Sequence, residues 1–143
     1  MSIKIIDYNS IEYREMINLR MEILRKPLGL SFTAETLEKE KDDILIGAFD
    51  DEKITACCIL TKIDSSIIQL RQMAVHPKME RNGLGASILA FAENMARDSG
   101  FRILMMHARK TAVGFYEKQG YAIHGEEFME VSIPHYEMRK KLI

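Results

Sequence analysis

The stretch best suited to chemistry is a single passage near the middle of the chain, where Val75-His76-Pro77 is followed by Glu80-Arg81-Asn82-Gly83-Leu84-Gly85-Ala86-Ser87. An apolar run precedes it and an amphipathic run follows it, so the glycines fall where a strand should give way to a helix. Glycines let the backbone come close to a bulky anion. The first N–H groups of a helix lack internal acceptors and sit at the positive end of its dipole. A phosphate or pyrophosphate is the ligand such a turn suits best. The alternative is a tight strand-to-helix turn that binds nothing. The passage lacks the third glycine of G-x-G-x-x-G and the G-K-[ST] of the nucleotide P-loop, so neither dinucleotide nor P-loop chemistry is indicated.

The flanking elements must hold that turn in place. Ser2 to Asp7 reads as a short strand, and Asn9 or Ser10 can cap a helix whose apolar residues, from Ile11 to Leu24, recur at a broadly helical period up to Arg25. Pro27 and Gly29 stop it. A second, charged helix is expected from Thr33 to Lys41. The runs Ile44 to Phe49, Ile54 to Ile63 and Ile67 to Val75, separated by the polar turns Asp50 to Glu52 and Asp64 to Ser66, predict antiparallel hairpins. A long helix follows from Gly83 to Ser99, ended by Gly100. After it come a strand from Phe101 to Ala108, a short helix from Thr111 to Lys118, and strands from Tyr121 to Phe128 and from Pro134 to Lys140. The order is that of an α+β domain with one central β-α-β-α unit.

The 143 residues, 47% of them apolar and 29% charged, fit one domain with a sizeable core, expected to span residues 1–143. A net charge of −1 gives no positive field to hold nucleic acid or anionic lipid. No run approaches the roughly 18 apolar residues of a membrane span, and the first ten residues lack the pattern of an export signal, so a cytoplasmic location without membrane attachment is expected. Cys57 and Cys58 are strand neighbours that point to opposite faces, which makes them poor disulfide partners and poor metal ligands. They read as small buried residues in a reducing compartment, and no metal site is expected. The ten methionines read as flexible core filling.

At this point the sequence resembles the GNAT superfamily of N-acetyltransferases, whose second half carries an apolar-Ala-Val-x-Pro strand end and then [QR]-x-x-G-x-[GA] opening a helix. Met73-Ala74-Val75-His76-Pro77 and Glu80-Arg81-Asn82-Gly83-Leu84-Gly85 match that pattern, except that Glu80 replaces Gln or Arg. Ala112-Val113-Gly114-Phe115-Tyr116-Glu117-Lys118-Gln119-Gly120-Tyr121 resembles the family's A-x-x-[FL]-Y-x-x-x-G-[FY]. The tail from Phe128 to Met138, with Ile133-Pro134-His135-Tyr136-Glu137-Met138, is similar to a little-described bacterial subgroup ending in I-P-H-x-x-M. The resemblance implies a GNAT-like fold, a mixed and mostly antiparallel split sheet flanked by helices, with acetyl-CoA as acyl donor. It implies that the backbone around Ala74, at Met73 and Val75, pairs with pantetheine like an added strand. The N–H groups of Arg81, Asn82, Gly83, Leu84, Gly85 and Ala86 would cradle the pyrophosphate, and Phe115 would contact the cofactor. Tyr116 falls where many members place the acid that protonates the departing thiolate; the alternative is an amphipathic residue at a helix edge. Glu80 beside a pyrophosphate is repulsive unless it points outward or pairs with Arg81. Arg109 stands where Asn is common, either touching the cofactor or serving as surface charge.

Amine acylation needs a neutral amine, because an alkylammonium of pKa about 10.4 has no lone pair. His107, at the end of the strand expected to part from Ile67 to Val75, is the candidate base, against a structural role in the sheet. His135, Glu126, Glu127 and Glu130 are candidates for lining the acceptor pocket; His76 reads as turn structure and His124 as a strand-surface residue. The expected partners are acetyl-CoA and an amine acceptor, with a homodimer left open. A catalytically silent acyl-CoA-binding module and a protein that binds another phosphate ligand are the competing functions.

Overall fold

The computed structural model describes residues 1–80 and 82–143. Strand β1 (Ser2–Ile6) leads to helix α1 (Ile11–Arg20), where the Ser10 side chain accepts a hydrogen bond from the Tyr13 N–H and so caps an otherwise unsatisfied donor. The expected single helix to Arg25 changes character at Met21: residues Met21–Arg25 widen into a π-helical turn, and Lys26–Leu28 close it as a 3-10 turn with Gly29 left-handed at its end. The charged second helix is short: α2 (Ala34–Glu38), capped by the Thr33 hydroxyl, continues as a 3-10 turn over Lys39–Asp42.

Strands β2 (Ile44–Asp50), β3 (Lys53–Lys62) and β4 (Ile67–Val75) form the expected antiparallel meander. Helix α3 (Leu84–Asp98), strand β5 (Ile103–Arg109) and helix α4 (Val113–Lys118) follow. The expected strand from Tyr121 to Phe128 is not continuous. It is replaced by two short pieces, β6 (Ala122–Ile123) and β7 (Phe128–Glu130), which pair separately with the long final strand β8 (Ile133–Lys141). Gly125 between them has a positive φ, and Val131 and Ser132 both adopt left-handed backbone in the β7–β8 turn, so the chain bends away from the sheet and returns to it. Among the described residues the eight strands run β1-β2-β3-β4-β5-β8-β6 with β7 also on β8. Only the β4–β5 contact is parallel; the rest are antiparallel.

The sheet buries apolar side chains on both faces. On one, Leu84, Ile88, Leu89, Ala92 and Ala96 of α3 pack on Ile46, Leu60, Ile68, Leu70, Leu104 and Met138. On the other, Tyr13, Met16 and Leu19 of α1 pack on Leu45, Phe49, Cys57, Ile59 and Ala74. Period-two alternation along β3 puts Cys57 in the second cluster and Cys58 in the first, as expected of strand neighbours. Met16, Met105, Met106 and Met138 are buried, whereas Met129 is exposed. Among the described residues no helix is long and apolar enough to cross a membrane.

Burial disfavours the thiolates, pushing Cys57 up to about 12 and Cys58 well above the ordinary thiol range. The folded protein therefore keeps both protons at a pH where the unfolded chain releases them. Their contribution is complete below a pH of about 8.5 and declines above it, by about 1.4 kcal/mol per pH unit for each thiol. The urea midpoint is expected to fall as the pH passes about 9, with a shallower slope in Cys58→Ala. A midpoint equally steep in that variant would assign the alkaline loss to other groups.

Candidate active site

The sheet parts at its parallel contact. β4 and β5 pair from Ile67↔Ile103 only as far as Leu70↔Met106. Beyond that point β5 stays with β8 as far as Arg109↔His135, while β4 stays with β3 as far as Ala56↔Val75. A β-bulge drives the separation: Cys57 pairs with Ala74 and Ile59 with Arg71, so Gln72 and Met73 together oppose Cys58. Gln72 takes up the bulge with φ +55°, a left-handed backbone that costs a non-glycine residue roughly 1 kcal/mol. The extra residue reverses the alternation. Leu70 faces the α3 side before the bulge, whereas Met73 and Val75 face it afterwards and Ala74 turns to the α1 side. The resulting cleft has a volume of about 790 Å3 and is lined by Met73, Ala74 and Val75 on one wall and by Met106 to Arg109 on the other. On the cleft side, β4 past Leu70 has no strand partner among the described residues, and an extended ligand can be added there.

Helix α3 begins at one end of this cleft. Gly83 caps it with φ +72° and offers no side-chain acceptor, so among the described residues the first N–H groups have no side-chain cap. Gly83, Gly85 and Ala86 line the cleft. A Cβ on Gly85 would lie 3.3 Å from Phe115 Cζ and 3.8 Å from Val75 Cγ2, so the missing side chain is what lets Phe115 close over the helix start. Of the other cradle candidates, Leu84 turns its side chain into the core, leaving only its N–H for a ligand. Asn82 is in the turn with its amide against Met79 Sδ at 3.7 Å, outside the cleft lining. Arg81 lies outside the described residues, and with it the pairing considered for Glu80. Glu80 itself lines the cleft mouth.

Tyr116 is buried in α4 and reaches the cleft, with its ring edge-on to Phe115 at 5.0 Å and to Tyr121 at 5.9 Å. Burial first, and then the nearby Cys58, raise its phenol well above the ordinary range, so it carries its proton at every working pH. Tyr121 is similarly raised but donates its hydroxyl to Glu93 Oε2 at 2.7 Å. Tyr116 has no such internal partner among the described residues.

On the α1 face, His107 Nδ1 lies 2.9 Å from Glu130 Oε1, and a carboxylate accepts, so Nδ1 donates and the lone pair of the neutral ring rests on Nε2. Phe128 stands edge-on to the His107 ring at 5.1 Å. His135 is buried, donates Nδ1–H to the Ile133 carbonyl at 2.8 Å, and turns Nε2 to Glu130 Oε2 at 3.6 Å. Glu130 thus stands between two imidazoles, and all three residues line the cleft. Arg109 is half-buried in the same lining, and its Nη2 donates to the Leu24 carbonyl at 3.4 Å, tying β5 to the π-helical turn. Glu126 and Glu127 do not reach the cleft. Glu127 is held outside by Lys110 at 2.8 Å, and Glu126 is exposed in the segment that leaves the sheet between β6 and β7. His124 is exposed just past β6 instead of on a strand, and His76 Nδ1 accepts from the Lys78 N–H, as a turn residue should. Among the described residues no cluster of His, Cys, Asp or Glu could hold a metal.

Sequence reasoning missed the bulge at Gln72 and the cleft residues Arg25 and Arg71. The signal for the first was present: Gln69 and Arg71 alternate with Ile68 and Leu70, and Gln72, a second successive polar residue, breaks that alternation. Arg25 had no such signal, because its position depends on the widened helical turn.

The Acetyltransferase (GNAT) domain family matches residues 29–142 of the chain. The uncharacterized protein YyaT of Bacillus subtilis (strain 168) is 34% identical over 74 residues, 52% of this chain and 50% of its own length. The chain thus spans about half the length of that relative. The uncharacterized N-acetyltransferase YjcF of the same organism is 27% identical over 137 residues, covering 95% of this chain and 97% of its own. In fold, the chain is similar to the crystal structure of an aminoglycoside 6'-N-acetyltransferase complexed with coenzyme A, with TM-score 0.85 and 17% identity over 100% of this chain and 98% of the other.

Proposed function

Because the chain belongs to the GNAT acetyltransferase family, whose chemistry is acyl-CoA-dependent N-acetylation, we propose that it moves an acetyl group from acetyl-CoA to a primary amine by direct attack on the thioester. One observation carries this reading: the parting of β4 and β5 opens a cleft with a helix N-terminus at one end, a protonated buried phenol in its wall, and an oriented imidazole on its opposite face. The unpartnered edge of β4 at Met73 and Val75 suits the amide groups of pantetheine, and the Gly83–Ala86 turn suits the pyrophosphate. Phe115 closes over that turn.

Two proton movements are then required. The acceptor enters as an ammonium, and His107 takes one proton through Nε2, held in that tautomer by Glu130. Attack forms the amide C–N bond and breaks the C–S bond, and the departing sulfur takes the proton of Tyr116, whose phenol is regenerated from solvent or from the proton left by the amine. Tyr116 suits this role because burial prevents it from ionising beforehand. The unpaired, buried Cys57 and Cys58 support work in a reducing, cytoplasmic compartment.

The test begins with the donor. Saturating acetyl-CoA is expected to raise the melting temperature, since a ligand at a hundred times its Kd adds about 2.7 kcal/mol to the folded state. Gly85→Leu should abolish that shift, because its side chain would meet Phe115 and Val75. ATP should give no comparable shift, and free thiol should appear when amines are added. A wild-type melt that ignores acetyl-CoA would end the proposal. Binding without thiol release from any amine would leave a silent acyl-CoA-binding module.

A further inference from the structure

The acceptor half of the cleft carries more positive charge than its own residues neutralise. Arg25, from the π-helical turn, and Arg71, from β4, both line it, and neither forms an ion pair among the described residues. Arg25 is stacked over Phe32 at 4.6 Å, with Arg20 on the same ring at 4.4 Å, and its Nε is shut off from solvent without a hydrogen-bond partner. Glu40, whose charge acts on Arg25, is already engaged: it receives Arg20 Nη1 and Nη2 at 2.8 and 2.7 Å and the Tyr13 hydroxyl at 2.7 Å. The Arg71 charge is felt by Asp43, but Asp43 lies outside the cleft lining and forms no ion pair with it, and Glu130, the one carboxylate lining this half, is taken by His107. Burial, and then the like charges of Arg20 and Arg71, lower the Arg25 guanidinium from its ordinary value, a sign that the pair is held in place at an electrostatic cost. Both arginines are half-buried, and a partly desolvated cation without a counter-ion carries a cost that an anion supplied by a ligand relieves.

We propose that Arg25 and Arg71 form a carboxylate-binding subsite and that the acceptor is a small amine bearing a carboxylate, of the amino-acid class. This rests on the reading of the cleft as an acetyl-transfer site. The guanidinium fork matches a planar carboxylate through two parallel hydrogen bonds. The arginines come from the π-helical turn and β4, whereas His107 and Glu130 come from β5 and β7 across the split, so one molecule can present its carboxylate to the first pair and its amine to the second. A diamine or polyamine would instead bring a second ammonium against the two guanidiniums.

The experiment compares acceptors matched in length: an ω-amino carboxylate, the corresponding alkylamine, the corresponding diamine, and phosphoethanolamine, with α-amino acids alongside. The carboxylated amine is expected to exceed the alkylamine at least tenfold in kcat/KM, mostly through KM, and Arg25→Gln and Arg71→Gln should each bring that ratio close to one. Acetyl-CoA binding is measured on the same variants. The subsite is overturned if the diamine or the alkylamine is the better acceptor, if the variants slow every amine equally, or if they weaken acetyl-CoA instead, which would assign the arginines to the donor. Preference for phosphoethanolamine would overturn the carboxylate assignment in favour of phosphate. If no amine is acetylated, calorimetry on the CoA-saturated protein decides: binding of amino carboxylates that is lost in Arg71→Gln supports the subsite, and no binding overturns it. Failure of acetyl-CoA itself to bind would instead remove the donor-site reading.

Discussion

Tyr116→Phe is expected to lower acetyl-transfer turnover about a hundredfold while leaving the acetyl-CoA dissociation constant nearly unchanged. The substitution removes one hydroxyl and keeps the ring, which packs in the core and stands edge-on to Tyr121, beyond the end of α4. The lost hydroxyl has no internal hydrogen bond to forfeit among the described residues, unlike that of Tyr121, which holds Glu93. In the proposed mechanism its work is confined to the moment when the sulfur becomes negative. An interaction made only in the transition state changes kcat and spares ground-state affinity, and general acid help is typically worth about a hundredfold or more. Turnover equal to wild type would transfer the acid role to water or another residue. Parallel losses in binding and turnover would make the hydroxyl a positioner of the sulfur.

Removing the carboxylate of Glu40 should produce the largest loss of stability. Arg20 and Glu40 are 0% and 2% exposed, form a two-pronged ion pair, and share it with the Tyr13 hydroxyl. The contact ties α1 to the 3-10 turn after α2, and so fixes the backing of the cleft wall where Arg25 stacks on Phe32. Glu40→Gln leaves a buried guanidinium without its counter-charge, which costs about 3–5 kcal/mol, or roughly 10–15 °C of melting temperature for a chain of this size. Arg20→Met combined with Glu40→Leu should recover much of that loss, because an apolar pair of similar volume has no charge to desolvate. A double variant as unstable as the single one would show that packing, and not the uncompensated charge, held the segment.

The two blocks that announce the family, Met73 to Gly85 and Ala112 to Tyr121, lie in continuous sequence because the chemistry they serve depends on local backbone. A strand end, two glycines and a helix start are the local elements an anion site needs, and Gly83, Gly85 and Phe115 all line the cleft. The three-strand meander and the buried opposite-facing cysteines were legible for the same reason, since alternation and turn chemistry act over a few residues. The last hairpin was less so. The run from Tyr121 to Phe128 is cut in two at Gly125, where φ is positive and Glu126 and Glu127 add little strand preference, and Val131 and Ser132 then turn β7 back onto β8.

By itself, then, the sequence determined the α+β order, the helix-start turn and the identities of Tyr116 and His107 as candidates. Tertiary structure alone decided which residues share the cleft. The Gln72 bulge reverses the faces of Met73, Ala74 and Val75, and the π-helical turn carries Arg25 into the cleft beside Arg71, 46 positions away in sequence by their own numbers. Glu130 joins His107 and His135 only because β7 folds back on β8 and β8 pairs with β5. Each of these is a register or a crossing between segments distant in the chain, set by side-chain packing on both faces of the sheet, and a period read along one segment carries no information about the segment it will meet.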